Sequence, residues 1–178
     1  TEAMADLVEL GIEVHHLDVC STDQISMLAK VLDGKGIQVD MLINNAGFGA
    51  MGPLAEMSKE RVRKQFEVNV FSIVELSNAF IPRMVAQARG RIVNIGSISG
   101  IVTTPFAGAY CASKSAVHAL SEAMRMELKP FGVEVITVQP GGIQSDFGAS
   151  AAQAVQQVFP LKSMYAPVRQ GVINRAEA

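Results

Sequence analysis

Apolar runs of strand length alternate with amphipathic stretches of helical period along the 178 residues of this chain. The runs rich in Val, Ile and Leu predict four strands, at residues 12–19, 39–44, 91–97 and 132–139. Stretches with a 3.6-residue period predict helices at residues 1–10, 22–32, 58–80 and 108–129, with a kink or restart at Pro82. This alternation predicts an α/β fold whose parallel strands are joined by right-handed crossovers.

Composition narrows the class of protein further. The formal net charge is −2, and the one short basic cluster, at residues 59–64, is interrupted by acidic and apolar residues, so nucleic acid and anionic membranes are not expected partners. No apolar run reaches the length of a membrane span. Cys20 and Cys111 are the only cysteines, which indicates a reducing compartment, and we expect a cytoplasmic protein without a metal site.

Polar or Gly/Pro residues follow each predicted strand, at the end where parallel sheets bind their ligands. They are Asp18, Asn44, Asn45, Ser97 and the Pro140 loop. The stretch GFGAMG at 47–52 has the Gly-x-Gly-x-x-Gly spacing of a dinucleotide fingerprint, but Pro53 and several more residues separate it from the next helix. We therefore interpret it as a flexible glycine loop.

Tyr110 and Lys114 lie one helical turn apart, with small residues between them. An ammonium beside a phenol favours the phenolate, so we expect Lys114 to lower the pKa of Tyr110 and to make it a usable acid or base. The bland alternative is an ordinary pair on a solvated helix.

Two polar residues change that balance. Ser97 ends a predicted strand, and the following loop can fold its hydroxyl back toward Tyr110 to hold a substrate oxygen; otherwise it is a common loop serine. Asn69 lies among apolar residues of a long helix, where an amide needs a partner. Its bland alternative is a hydrogen bond that ties this helix to a neighbouring strand.

Five motifs now occur together: NNAG at 44–47, Asn69 in EVNVFS, Ser97 in IVNIGSISG, YCASK at 110–114 and PGGIQS at 140–145. In this order and spacing, residues 1 to about 147 resemble the classical short-chain dehydrogenase/reductase family. The resemblance implies a Rossmann-like doubly wound parallel sheet. The family's glycine-rich turn, its first two strands and its last strand are not matched, so we expect a single partial domain over 1–178, with residues from about 146 to 178 covering the substrate.

The resemblance implies roles for the matching residues. Tyr110 would be the general acid/base, Lys114 would also hold the nicotinamide ribose, Ser97 would position the substrate oxygen, and Asn69 would hold a water that links Lys114 to solvent. Ser145 stands where the family usually has Thr. The implied cofactor contacts, from the adenine to the nicotinamide, are Asp18, Val19, Asn45, Ala46, Gly47, Tyr110, Lys114, Pro140, Gly141, Ile143 and Ser145.

The implied function is an NAD(P)-dependent oxidoreductase that interconverts a secondary alcohol and a ketone. NADP is the working choice over NAD, and the apolar stretch after the Pro140 loop favours a lipophilic substrate. The alternatives are an inactive remnant or a binding or assembly module of the same fold; within the family, an epimerase or dehydratase is the next candidate. Because the glycine-rich turn is not matched, we expect the 178 residues alone not to bind the dinucleotide productively.

The resemblance also implies a homodimer or homotetramer built through the helices at 58–80 and 108–129. The side chains expected to supply surplus apolar surface are Val70, Ile73, Val74, Ser77, Val117, Leu120, Met124 and Leu128. Alternatively, all of them face the sheet. Light scattering of the intact protein at micromolar concentration would decide, since a monomer would rule the interface out.

Overall fold

The computed structural model describes residues 4–143, 155, 159 and 162–177, and it shows helices packed on a parallel sheet. The strands are β1 (Met41–Asn44), β2 (Gly90–Ile95) and β3 (Val133–Val138). The helices are α1 (Ala5–Glu9), α2 (Thr22–Gly34), α3 (Lys59–Phe66), α4 (Ser72–Ala86), α5 (Gly108–Leu128) and α6 (Arg169–Glu177). Short 3₁₀ turns lie at Leu54–Glu56, Ile98–Gly100, Lys129–Phe131 and Ala166–Val168.

The sheet has the order β1-β2-β3 with both pairs parallel, which confirms a partial Rossmann-like fold. In its register, Asn44 of β1 faces Asn94 of β2. The strands are buried mainly through their alternating apolar residues, with Ile92 fully buried and Val133 and Val135 nearly so. Consequently the residues that follow Asn44, Ile95 and Val138 lie at one edge of the sheet, where a ligand can reach all three loops.

Serine caps begin two of the predicted helices. The Oγ atom of Ser21 accepts a hydrogen bond from the Gln24 amide at 3.4 Å, and that of Ser58 accepts one from the Arg61 amide at 3.3 Å. The predicted starts of α2 and α3 are therefore confirmed. The glycine loop at 47–52 leads into a 3₁₀ turn rather than directly into α3, as expected from Pro53.

The predicted strand at 12–19 is wrong, because this segment makes no ladder with β1 among the residues described. Side chains fasten it to α2 instead: Lys35 donates to Glu13, and Gln24 Oε1 accepts from the Asp18 amide at 2.7 Å. Leu17 and Val19 still pack against the main core. The apolar pattern therefore predicted correctly that Leu17 and Val19 pack against the core, but a strand also needs a hydrogen-bonding neighbour.

The predicted helix at 58–80 differs in two respects. It contains a π-helical turn, Glu67–Phe71, between α3 and α4, and α4 continues through Pro82 to Ala86. Phe80 and Met84 lie on either side of Pro82 and are buried in the main core. Their packing keeps the helix going even though proline removes one backbone hydrogen bond.

The apolar side chains expected at a subunit interface are already covered within the chain. All eight are buried or half-buried; for example, Val70, Ile73 and Val117 form one core cluster with Leu120 and Met124 around them. Much of the apolar surface on which the interface argument rested is therefore covered within the chain. The oligomer itself stays a prediction.

Membrane-spanning helices and clusters of metal ligands are both absent from the described residues. No helix in residues 4–143 or 162–177 combines the length and the apolarity needed to cross a bilayer. The same residues contain no group of His, Cys, Asp and Glu side chains arranged to hold a metal ion.

Candidate active site

The first turn of α5 brings Tyr110 to the loop that follows β2. Tyr110 and Ser97 are both 7% exposed, and their hydroxyl groups share a hydrogen bond. The Ser97 Oγ atom also accepts from the Ser99 amide at 3.1 Å, which fixes the start of the 3₁₀ turn. The structure therefore brings Ser97 and Tyr110 together, as their spacing predicts.

The pKa of Tyr110 is raised above its ordinary value, which corrects the expectation that Lys114 would lower it. Burial of the phenol is the main cause and outweighs the opposing effect of the Ser97 hydrogen bond. The Lys114 Nζ atom lies 5.8 Å from the centre of the tyrosine ring and is directed to a backbone carbonyl. In this arrangement Tyr110 is a protonated phenol at neutral pH.

Lys114 is a buried amine at the end of β2. It is 6% exposed, and Nζ donates to the Ile95 carbonyl at 2.6 Å. Burial lowers its pKa from the ordinary 10.5 to about 8. An amine this close to neutral titration can respond to a ligand, and buried groups with shifted pKa values are typical of functional sites.

Asn69 lies in the π-helical turn and clamps the loop after β1. Its Oδ1 accepts from the Phe48 amide at 3.1 Å, while Nδ2 donates to the Phe48 carbonyl at 3.0 Å and to Ser113 Oγ at 3.2 Å. These bonds join three elements, the loop, the π turn and α5, so Asn69 has partners on a loop and a helix rather than on a neighbouring strand. The water that would link Asn69 to Lys114 stays a prediction.

A second amide was missed by sequence reasoning. Gln65 is fully buried; its Oε1 accepts from the Ala50 amide and its Nε2 donates to the Phe48 carbonyl, both at 2.6 Å. Ser113 was also missed, although it lies inside the YCASK motif, and its Oγ donates to the Tyr110 carbonyl at 2.7 Å. The available signal for Gln65 was a polar residue on the inner face of an amphipathic helix.

The residues expected at the adenosine side are divided between two cavities. Val19, Asn45 and Ala46 line a largely apolar cavity of about 300 Å³ beside β1. Asp18 lines a different one, with Arg63, Lys64 and Glu67 among its neighbours. Among the described residues the 12–19 segment makes no ladder with β1, and its neighbouring residues Asp18 and Val19 line different cavities. Gly47, in contrast, lies at the centre of the site, because an added Cβ would come within 3.3 Å of Asn69 Oδ1 and 3.8 Å of Lys114 Nζ.

The Pro140 loop is joined to the Ser97 loop. The Pro140 carbonyl accepts from the Ile98 amide at 3.0 Å, so the residues expected near the nicotinamide lie beside the loop that carries Ser97. The Gly141 backbone is exposed, and the Ile143 side chain is 66% exposed. Ser145 lies outside the described residues.

Comparison with known proteins shows the family of this chain. The family model described as short chain dehydrogenase matches residues 1–156. The chain belongs to the short-chain dehydrogenase family. The match covers β1, β2, β3 and α5, and thus the candidate active site.

Individual relatives and a solved structure of the family are similar to this chain in sequence and in fold. Over 156 residues it is 38% identical to the short-chain dehydrogenase cctT of Talaromyces islandicus, covering 87% of this chain and 54% of the relative. It is 39% identical over 138 residues to a 3-ketodihydrosphingosine reductase of Bacteroides thetaiotaomicron, covering 76% and 51%. A short-chain dehydrogenase/reductase from Burkholderia phymatum, solved in complex with NAD, superimposes with a TM-score of 0.80 at 31% identity, covering 99% of this chain and 65% of that one. The chain thus spans about half the length of these two relatives.

Proposed function

We propose that this chain carries the catalytic residues of an NAD(P)-dependent oxidoreductase that interconverts a secondary alcohol and a ketone. The observation that carries the proposal is the meeting of Ser97, Tyr110 and Lys114 at the carboxyl end of β2. A bound nicotinamide cofactor supplies or accepts the hydride. The protein's part is to place the substrate oxygen and to move the accompanying proton.

Tyr110 has the properties of a proton donor to a carbonyl oxygen. Its raised pKa keeps the phenol protonated at neutral pH. A ketone oxygen that approaches the shared Ser97–Tyr110 hydrogen bond can accept from both hydroxyl groups, and Tyr110 then transfers its proton to that oxygen. At neutral pH the phenol is therefore in the form that donates a proton to a ketone oxygen.

The residues near Lys114 fit a dinucleotide ribose. The Lys114 ammonium uses one N–H for the Ile95 carbonyl, and its remaining donors suit ribose hydroxyls. Gly47 leaves room at the same place, since an added side chain would press on Asn69 and approach Nζ. Backbone groups of the Asn45–Gly47 loop can therefore come close to a bound ligand. The proposed site is compatible with either NAD or NADP.

A lipophilic substrate is supported by an aromatic cluster next to α5. Phe106 packs edge-on against Tyr165 with ring centres 5.7 Å apart, and it lies 6.3 Å from Phe159. Met51 of the glycine loop packs against the same cluster. The Bacteroides relative is named for a ketone of the sphingosine type, which is also lipophilic. We propose a ketone or alcohol with a substantial apolar chain.

The test is Tyr110→Phe in the intact protein, with Tyr165→Phe as the matched control, because these are the only two tyrosines of the 178 residues. Loss of the phenolic proton donor should lower kcat at least about 100-fold while the dissociation constant for NAD(P)H changes little. Tyr165→Phe should retain kcat, since it removes a hydroxyl outside the Ser97–Tyr110 pair. A Tyr110→Phe variant with more than about a tenth of the original kcat would contradict the proposed role.

A binding or assembly module of the same fold remains the alternative function. It is favoured by the 12–19 segment, which forms no ladder with β1 among the described residues and whose expected adenosine contacts line two cavities. It predicts an intact protein that neither turns over alcohols or ketones nor binds NADH or NADPH in a calorimetric titration. Saturable binding of either dinucleotide would reject it.

A further inference from the structure

His118 lies one turn after Lys114 on α5, beneath the loop that carries Ser97. Its Nε2 atom accepts a hydrogen bond from the Ser97 amide at 3.3 Å. The amides on either side bond to β3 and the residues after it: Gly96 donates to the Val138 carbonyl at 2.7 Å, and Ile98 donates to the Pro140 carbonyl at 3.0 Å. The imidazole therefore accepts from the Ser97 amide, which lies between these two.

Two glycines make room for the imidazole ring. A Cβ added at Gly96 would lie 2.4 Å from His118 Nε2, and one added at Gly100 would lie 2.5 Å from His118 Cε1. A Cβ atom does not come this close to a non-bonded heavy atom, so both positions must lack a side chain while the ring is in place. Ser115 Oγ, which donates to the Gly100 carbonyl at 2.8 Å, fastens the same loop to α5.

We propose that His118 is a positioning residue for Ser97: its neutral imidazole, enclosed by Gly96 and Gly100, holds the serine backbone so that the hydroxyl meets Tyr110. The inference rests on the proposed function, because it assigns a task within the same site. His118 acts through the backbone amide of Ser97.

The role requires an acceptor at Nε2, and only the neutral ring provides one there. Burial and the charge of Lys114 both lower the pKa of His118, so the ring stays neutral at physiological pH. Lys114 is the charged group that faces it from α5; Glu122, one turn further, is paired with Arg125. The Ile95–Val102 stretch packed over the ring has no ionisable side chain, and β3 approaches with Thr137. Protonation in acid turns Nε2 into a donor and removes the bond.

Substitutions that keep or remove the acceptor test the proposal. His118→Leu keeps bulk but accepts no hydrogen bond, and kcat should fall roughly 3- to 10-fold, with little change in KM for the cofactor. His118→Gln places an uncharged oxygen near the Nε2 position and should restore most of that loss. It should also remove the fall of kcat in mild acid that the titrating imidazole causes. Equal kcat values and equal pH profiles in all three proteins would overturn the proposal.

A double-variant cycle tests the enclosure by the glycines. Gly96→Ala should impair activity because its methyl group displaces the ring, whereas Gly96→Ala should cost much less in a His118→Ala background. Gly34→Ala is the control, since a Cβ there meets no atom within 4 Å. If Gly96→Ala is equally harmful in both backgrounds, the enclosure does not act through His118.

A structural measurement separates this inference from the proposed function. Imidazole nitrogen NMR of the wild-type chain should show Nδ1 protonated and Nε2 as a hydrogen-bonded acceptor at pH 7, whether or not turnover is found. The opposite tautomer overturns the inference alone. An active Tyr110→Phe variant overturns the proposed function while leaving the contact between His118 and Ser97 to be judged by the spectrum.

Discussion

The carboxyl end of β2 and the outer edge of β1 belong to one sheet, yet their polar groups are satisfied to different degrees. At the end of β2, Lys114 bonds to the Ile95 carbonyl, and His118 takes up the Ser97 amide. At β1, Asn44 donates to Asn94 Oδ1 at 2.8 Å, but among the described residues no donor reaches its own buried Oδ1 atom. The two regions therefore share one sheet, but the hydrogen bonds of their polar groups are more complete at the end of β2 than at β1.

The apolar side chains differ in the same way. Val117 on α5 is 1% exposed, whereas Ile43 of β1 is 57% exposed and also lines the cavity of about 300 Å³. A strand with one partner leaves backbone groups and side chains open, whereas a strand end covered by a helix does not. The candidate site residues can therefore be held together by α5 and the loops around it, even though β1 pairs with only one strand among the described residues.

The largest expected effect on the free energy of unfolding is at Asn69, which bonds to α5 and to the loop after β1. Asn69→Ala removes the bonds to both backbone groups of Phe48 and to Ser113, so the free energy of unfolding should fall by about 3 kcal/mol. Asn78→Ala is the control, because Asn78 is exposed on α4 and should change it by less than about 0.5 kcal/mol. Urea unfolding of both variants checks the result, and equal midpoints would show that the Asn69 clamp contributes no stability.

The next substitution, at Lys114, is expected to raise the free energy of unfolding. Lys114→Met removes a buried amine whose pKa is lowered to about 8, so at pH 7 the free energy of unfolding should rise on the order of 2 kcal/mol while catalysis is lost. In the wild type, the folded state releases the proton near pH 8 and the unfolded state near 10.5, so burial of the charge costs most below pH 8 and stability is regained as pH rises through this window.

The pH dependence of the difference between the two proteins is the measurement. Thermal unfolding from pH 7 to pH 10.5 should show the gain of Lys114→Met shrinking toward zero. Lys30→Met on the exposed face of α2 is the control and should show no such trend. A Lys114→Met gain that stays constant across this range would mean that the buried amine is not the cause.

The smallest expected effect compares two identical truncations. Val117→Ala leaves a cavity in a packed cluster and should lower the free energy of unfolding by about 2 kcal/mol, whereas Val19→Ala only widens an existing cavity and should lower it by less than about 1 kcal/mol. Chemical denaturation measures both. Equal losses would indicate that the 12–19 segment is packed as firmly as α5, and the comparison between the two regions would fail.

Particular elements show how far sequence reasoning reached. The serine caps predicted the starts of α2 and α3, and three apolar runs predicted β1, β2 and β3. The 12–19 run has the same apolar character but formed no strand, and Pro82 did not end its helix. In both cases tertiary context decided, through a missing ladder partner in the first and through the buried Phe80 and Met84 in the second.

The sequence by itself determined β1, β2 and β3 with the helices between them, the family, and the identity of Asn69, Ser97, Tyr110 and Lys114 as the candidate site, because cap residues, apolar periods and motif spacings are local properties of the chain. Only the tertiary structure decided how these groups are tuned. Burial raised the pKa of Tyr110 and lowered that of Lys114, and the fold placed Gln65 and His118 against backbone groups distant in sequence. The physical reason is that desolvation and hydrogen-bond partnership depend on everything that packs around a group, and no single segment of sequence contains that information.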